Sequence, residues 1–262
     1  MNKMSYLDEL FALKGKTAVV IGGGGVLAGF MAEGLARAGA DIVILDLNLE
    51  NAQAKAEELH KYSIKSSALK VDASDKVDLE KAAKQIIHDY DAINIIVNAP
   101  GINSATPFLE ITEEEWTKII DVNLKSMLFS CQIFGECMIE ANNGGSIINI
   151  SSVSSSIPLS RVFTYSISKA GVNNLTQYLA KEWAVHNIRI NAIAPGFFPA
   201  EQNRKILTKE RVDSIFNHTP MNRFGDPEEL IGATIWLASE KASSFVTGAI
   251  IRVDGGFTAM TI

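Results

Sequence analysis

The segment Thr17-Ala18-Val19-Val20-Ile21-Gly22-Gly23-Gly24-Gly25-Val26-Leu27-Ala28-Gly29 decides how the rest of the chain is read. Its first part, Thr17–Gly22 (TAVVIG), has strand length and no polar alternation, as strands covered on both faces do. It runs directly into glycines and then into a helix-period segment, Phe30–Ala40. Gly23-x-Gly25-x-x-Ala28 satisfies the G-x-G-x-x-A form of the dinucleotide fingerprint. Residues without Cβ let backbone N–H groups approach a pyrophosphate at a helix N-terminus. A flexible turn is also glycine-rich, so the weight rests on the position between strand and helix. A second strand, Asp41–Asp46 (DIVILD), follows, and Asp46 stands 21 residues beyond Gly25. An acid at that distance binds the adenosine ribose 2′-hydroxyl and repels a 2′-phosphate, which favours NAD(H) over NADP(H).

The same alternation continues outward. Ser67–Asp72 (SALKVD), Ala92–Asn98 (AINIIVN), Ser146–Ser151 (SIINIS) and Ile188–Ala192 (IRINA) have strand length. In Leu49–Tyr62, Val77–Tyr90 and Val172–Val185, Leu, Ile and Ala recur every three or four residues. Sustained strand–helix alternation predicts an α/β fold, a single doubly wound, Rossmann-type parallel sheet with helices on both faces. Thr112 and Glu115 have capping-box spacing ahead of Trp116. Asp226-Pro227-Glu228-Glu229 supplies an N-cap, a proline at N1 and acids in a first turn. No linker or repeat interrupts the sequence, so residues 1–262 are read as one domain. Pro195–Gly225 is the least regular part, and residues 197–224 are expected to cover the substrate as a lid.

Lys and Arg number 24 against 30 Asp and Glu, a net charge of −6. Such a chain lacks the basic footprint a nucleic-acid backbone requires. Cys131 and Cys137 sit in apolar helical sequence as packing residues and cannot build a disulfide framework. Asp8, Glu9 and Lys14 interrupt the apolar residues of Met1–Lys16, so no secretory segment is expected, and no uncharged stretch could span a bilayer. The expected setting is cytoplasmic, with a small molecule rather than nucleic acid or membrane as partner. The four histidines are isolated, and no metal site is expected.

Tyr165 and Lys169 are spaced i, i+4 and share a helix face. A neighbouring ammonium favours phenolate, which would make the tyrosine a proton donor and acceptor nearer neutrality. Ser152 closes the strand-like SIINISS, 13 residues before the tyrosine. The Tyr–Lys pair alone is common. With it, however, stand Asp72, Asn98-Ala99-Pro100-Gly101, Asn123 in DVNLK, Pro195-Gly196 and Val253-Asp254-Gly255-Gly256. In this order, from about Leu13 to Phe257, the chain resembles the short-chain dehydrogenase/reductase family.

The resemblance implies that Tyr165 is the general acid/base and that Ser152 hydrogen-bonds the reacting oxygen. It implies that Lys169 lowers the tyrosine pKa and holds the nicotinamide ribose, and that Asn123 supports a proton-relay water. It implies a cofactor site of Gly22, Gly23, Gly25, Leu27, Asp46, Asp72, Ala73, Asn98, Tyr165, Lys169, Pro195 and Gly196, with Asp72 toward adenine, and a homotetramer. The chemistry implied is hydride transfer between nicotinamide C4 and a secondary alcohol or ketone. The chain departs from the family pattern at Ile21, Val26 and Ala28, where Thr, Gly and Gly are usual. It departs again at Ala99-Pro100 within the Asn-Asn-Ala-Gly motif, and at Ala200.

Within the family, the closest resemblance is to sugar-acid reductases of the D-mannonate oxidoreductase (fructuronate reductase) type. GGGGVLAG, PGFFPAEQNRKIL, PMNRFGDPEEL and SEKASSFVTG carry it. Arg161, four residues before Tyr165, and Arg204 in the lid are cations in an acidic chain, and guanidinium grips carboxylate bidentately. Loop arginines are more often solvated surface charge. The leading expectation is NAD(H)-dependent interconversion of alcohol and ketone on a small sugar acid or polyol. A 3-oxoacyl or other hydrophobic-ketone reductase stays open, with Phe197, Phe198 and Phe216 lining a greasier pocket. So does an inactive NAD(H)-binding redox sensor, which the intact Ser152, Tyr165, Lys169 and Asn123 set opposes.

Overall fold

In the computed structural model, which describes residues 5–199 and 208–259, seven parallel strands form one sheet in the order β3-β2-β1-β4-β5-β6-β7. They are β1 Thr17–Ile21, β2 Asp41–Asp46, β3 Ser66–Lys70, β4 Ile95–Asn98, β5 Gly145–Ile150, β6 Ile188–Pro195 and β7 Ile250–Val253. After the short α1 (Tyr6–Phe11), the crossovers are α2 (Val26–Arg37), α3 (Leu49–Leu59), α4 (Lys76–Tyr90), α5 (Glu113–Ile120), α6 (Ser126–Ala141) and α7 (Phe163–Trp183).

The two-residue period of a strand explains why the sequence shows no polar alternation. Ala18, Val20, Ile42, Ile44, Ile95, Val97, Ile148 and Ile150 face one layer, where α2, α3 and the helix Ile231–Ala238 cover them. Their neighbours Val19, Ile21, Val43, Leu45, Ile96 and Ile147 face the other, under α4, α6 and α7. A small residue brings two helices of this layer close: a Cβ on Gly135 of α6 would lie 2.4 Å from the Trp183 ring of α7. Helix starts follow the side chains able to cap them. Asp75 accepts from the N–H groups of Val77 and Asp78, and Asn48 accepts from Asn51 N–H. Thr112 accepts from Glu115 N–H, but the Glu115 carboxylate takes the Thr106 hydroxyl (2.7 Å) instead of closing the box. The reciprocal box forms at Asp226 and Glu229.

Several boundaries differ from the sequence expectation. Helix α2 begins at Val26 rather than Phe30, because its first turn, VLAG, is too poor in large apolar residues to show a period. Helix α7 begins at Phe163 rather than Val172, its first turns carrying the polar face Tyr165–Lys169. Strand β3 covers Ser66–Lys70 rather than Ser67–Asp72. Strand β4 starts at Ile95 rather than Ala92, where Asn94 instead accepts from Thr17 N–H through its side chain (2.9 Å). Strand β6 continues to Pro195. Strand β7, only four residues (IIRV), left no pattern long enough to read.

Candidate active site

Chain order reverses between β1 and β4, and ligands in open α/β sheets bind at such a switch point, beyond the C-terminal strand ends. There the loops after β1, β4, β5 and β6 enclose a cleft of about 1020 Å³.

One end of the cleft suits a dinucleotide. Gly22 and Gly25 line it. Gly22 has φ +76°, and a Cβ there would come within 3.1 Å of the Ala99 carbonyl group, so the turn excludes larger residues. Gly25 is the N-cap of α2 and offers no side-chain cap. The first-turn N–H groups are therefore left for an anion. Asp46 closes the glycine turn, its Oδ2 accepting from Gly24 N–H (3.0 Å) and its Oδ1 from Asn48 N–H (2.9 Å). Asp72 Oδ1 accepts from the Ser74 N–H (2.9 Å) and hydroxyl (2.6 Å). Asp46, Asp72 and Ala73 stand at or just beyond the ends of β2 and β3, outside the wall of the main cleft, whereas Leu27, Pro195 and Gly196 line it. These residues fit the cofactor the sequence implies.

Gly23 packs inward, where a Cβ would meet Val20 O at 2.9 Å. The Asn98 side chain is not brought into the cleft. It is fully buried, donating to Asn149 Oδ1 (2.9 Å) and accepting from the Ser130 hydroxyl, and Asn149 donates in turn to Thr176 Oγ1 (2.9 Å).

At the other end, α7 is stitched to the end of β5. Lys169 Nζ donates to Ile150 O at 2.8 Å and lies 5.7 Å from the centre of the Tyr165 ring. The lysine is buried with no carboxylate partner among the described residues, and this desolvation brings its pKa from 10.5 down to about 8. Burial pushes the Tyr165 phenol up, and the facing Ser152 hydroxyl works in the opposite direction. The Ser152 oxygen accepts from Ser154 N–H (3.2 Å) and from the Ser154 hydroxyl (3.1 Å). Its own proton is thereby directed to the phenol oxygen, or to a ligand oxygen that takes that place. Asn123 sits in a π turn, Asp121–Lys125, between α5 and α6; such turns mark functional sites. Its Oδ1 accepts from Ile102 N–H (2.8 Å), and its Nδ2 donates to Ile102 O (2.9 Å) and Ser168 Oγ (3.2 Å). The amide thus anchors the loop after β4.

Arg161 lines the cleft from a left-handed backbone position, φ +66°, which a non-glycine residue seldom adopts. Arg204 lies outside the described residues. Sequence reasoning missed Arg211, on the helix Lys209–Asn217, which also lines the cleft and donates to Ser160 Oγ at 3.0 Å. The signal was Thr208, an N-cap three residues before it. Among the described residues lining the cleft, Arg161, Lys169 and Arg211 are charged, and none is Asp or Glu. Phe197 and Phe198 line it too, but Phe216 packs against Phe224, with ring centres 4.7 Å apart. No helix among the described residues is long and apolar enough to cross a membrane, and these residues contain no cluster of His, Cys, Asp and Glu fit to hold a metal.

A family model described as enoyl-(acyl carrier protein) reductase matches residues 26–258. The 5-keto-D-gluconate 5-reductase of Escherichia coli (strain K12) is 36% identical over 251 residues, covering 95% of this chain and 98% of that protein. Among solved structures, a gluconate 5-dehydrogenase from Burkholderia cenocepacia in complex with NADP and tartrate superposes with a TM-score of 0.93. It is 33% identical and covers 98% of this chain and 100% of its own. A Haemophilus influenza protein provisionally assigned as a D-mannonate oxidoreductase, with bound NAD, gives a TM-score of 0.92 at 33% identity over 97% of this chain and 99% of its own.

Proposed function

This chain belongs to the short-chain dehydrogenase/reductase family, whose members interconvert alcohols and ketones, and on that premise we propose that it acts on a sugar acid of the hexonate type. The observation that carries the reading is the charge of the cleft. A chain of net charge −6 lines it with Arg161, Lys169 and Arg211 and, among the described residues, with no carboxylate. An anionic substrate is attracted to such a site, and a guanidinium fixes its carboxylate by paired hydrogen bonds. Relatives named for gluconate and ketogluconate, and one holding tartrate, support it. The D-mannonate/D-fructuronate pair is the first to test, on the strength of the first-turn and lid sequences. Phe197 and Phe198 keep a hydrophobic-ketone substrate as the second reading.

When bound, the nicotinamide supplies or accepts the hydride. Gly22, Gly25 and the N-terminus of α2 would hold the cofactor's pyrophosphate, Asp46 its adenosine ribose, and Lys169 its nicotinamide ribose. Tyr165 gives the substrate oxygen a proton in reduction and removes it in oxidation, while Ser152 donates to the same oxygen. Asn123 holds the loop after β4 in place. A carboxylate at Asp46 would repel a 2′-phosphate, so NAD(H) is the proposed cofactor. The exposed Phe108, set edge-on to Phe163 at 5.0 Å, gives the proposed homotetramer an apolar surface to bury.

The test is a steady-state panel of D-mannonate, D-gluconate, their keto acids, neutral hexitols and a 3-oxoacyl thioester, each with NAD(H) and NADP(H). Turnover of the acids with NAD(H) is expected. Arg161→Ala and Arg211→Ala should raise KM for the acids about tenfold or more and leave hexitol kinetics within twofold. Equal effects on acid and hexitol, or preference for the thioester, would overturn the reading.

A further inference from the structure

Helix α7 carries a third polar residue on the face of Tyr165 and Lys169. Asn173 lies one turn beyond the lysine, and the spacing i, i+4, i+8 keeps all three above the end of β5. It is half-buried and does not line the cleft. Its amide spans the loop that carries Ser152. Ser151 Oγ donates to Asn173 Oδ1 at 2.6 Å, and Asn173 Nδ2 donates to Ser155 Oγ at 2.8 Å. Ser155 Oγ then donates to the Ser152 carbonyl at 2.6 Å. The donors follow one another from Ser151 through the helix amide and Ser155 to the backbone carbonyl of the residue that faces the phenol.

We propose that Asn173 is the positioning residue for Ser152: by bracketing it through Ser151 and Ser155, the amide fixes the serine hydroxyl opposite Tyr165. This rests on the reading of Ser152 and Tyr165 as the reacting pair. Lys169 and Tyr165 hold the cofactor-facing end of the helix, and Asn173 sets the height of the serine loop against it. Without the amide, Ser151 Oγ keeps only its longer bond to Lys169 O (3.3 Å) and Ser155 loses its side-chain tie to α7, so the serine hydroxyl is held less firmly against the phenol. The Ser152 contact is the one that lowers the Tyr165 pKa against the upward push of burial. Among the described residues lining the same cleft, the other charged groups are Lys169 on its own helix, Arg161 on the preceding loop and Arg211 on the helix Lys209–Asn217. None of them is altered by a change at Asn173.

The full-length protein is labelled with [ζ-¹³C]tyrosine, the Tyr165 signal is assigned with Tyr165→Phe, and its titration is followed by NMR in wild type, Asn173→Ala and Ser155→Ala. The Tyr165 midpoint should rise by about 0.7 pH unit in both variants, the worth of one hydrogen bond. This readout needs no substrate, so it stands even if every sugar acid in the panel fails. With whichever acid turns over, kcat should fall about tenfold while KM for NAD(H) stays within twofold. The double variant should match Asn173→Ala rather than multiply the two losses. Ser155→Ala leaves α7 untouched and carries the test if Asn173→Ala does not fold. An unmoved Tyr165 midpoint in a folded variant, or multiplicative losses in the double variant, would overturn the proposal.

Discussion

Replacing Lys169 with Met should make the protein more stable while disabling it. The ammonium is fully buried, 3% exposed as a residue, with Ile150 O as its hydrogen-bond acceptor among the described residues. Its pKa is brought from 10.5 to about 8 by burial, a gap corresponding to about 3 kcal/mol of unfavourable interaction for the charged form. The sign follows from linkage. Below pH 8 the folded and unfolded states both carry the proton, and the folded state bears the whole cost. Between pH 8 and 10.5 the folded state releases the proton first, and the cost fades. Methionine removes the charge at similar length but leaves Ile150 O without its donor, which returns about 1–2 kcal/mol. A net gain of about 1–2 kcal/mol at pH 7 is therefore expected, turning into a small net loss by about pH 10. Urea unfolding of both proteins at pH 7 and pH 10 gives the two differences directly, and NADH fluorescence titration reports the lost cofactor grip. A variant less stable than wild type at pH 7, or a difference unchanged between the two pH values, would refute the reasoning.

Two further outcomes follow from the geometry. Asp46→Asn removes the charge at the end of β2 while keeping an acceptor for the glycine turn, so the preference for NADH over NADPH should narrow by about tenfold or more in fluorescence titrations. An unchanged ratio would remove Asp46 as the discriminating residue. Gly135→Ala places a methyl 2.4 Å from the Trp183 ring and should cost about 1–3 kcal/mol in denaturant unfolding. Its effect on kcat should be small, because the contact lies outside the cleft.

The sequence was most legible where one physical signal dominates. Strand β2 came out with its true bounds, Asp41–Asp46, because burial on both faces leaves an unbroken apolar run. The glycine run was readable because Gly22 must adopt φ +76° beside the Ala99 backbone. Tyr165 and Lys169 could be paired because a helix converts a spacing of four into proximity. Three-dimensional facts were not written so locally. The Asn98 amide is turned into the core by contacts with Ser130 and Asn149, residues distant in sequence. Arg211 enters the cleft only because its helix folds back toward Ser160. Asn173 lies on the same helical face as Tyr165 and Lys169, yet its value depends on serines about 20 residues earlier in the chain.

The strand order also has a consequence for how the chain is made. Strand β1 pairs with β2 on one edge and with β4 on the other, although β4 begins more than seventy residues after β1 ends. On the ribosome, the β3-β2-β1 half can assemble first, and its growing edge is then a strand destined to be wholly buried. An open apolar edge of that kind invites pairing with another nascent chain. Through the interval in which α4 and β4 are being synthesised, the nascent protein already has its glycine turn but not yet Ser152, Tyr165 or Lys169. A ligand able to occupy that turn early would act as a folding partner before any substrate could meet Tyr165.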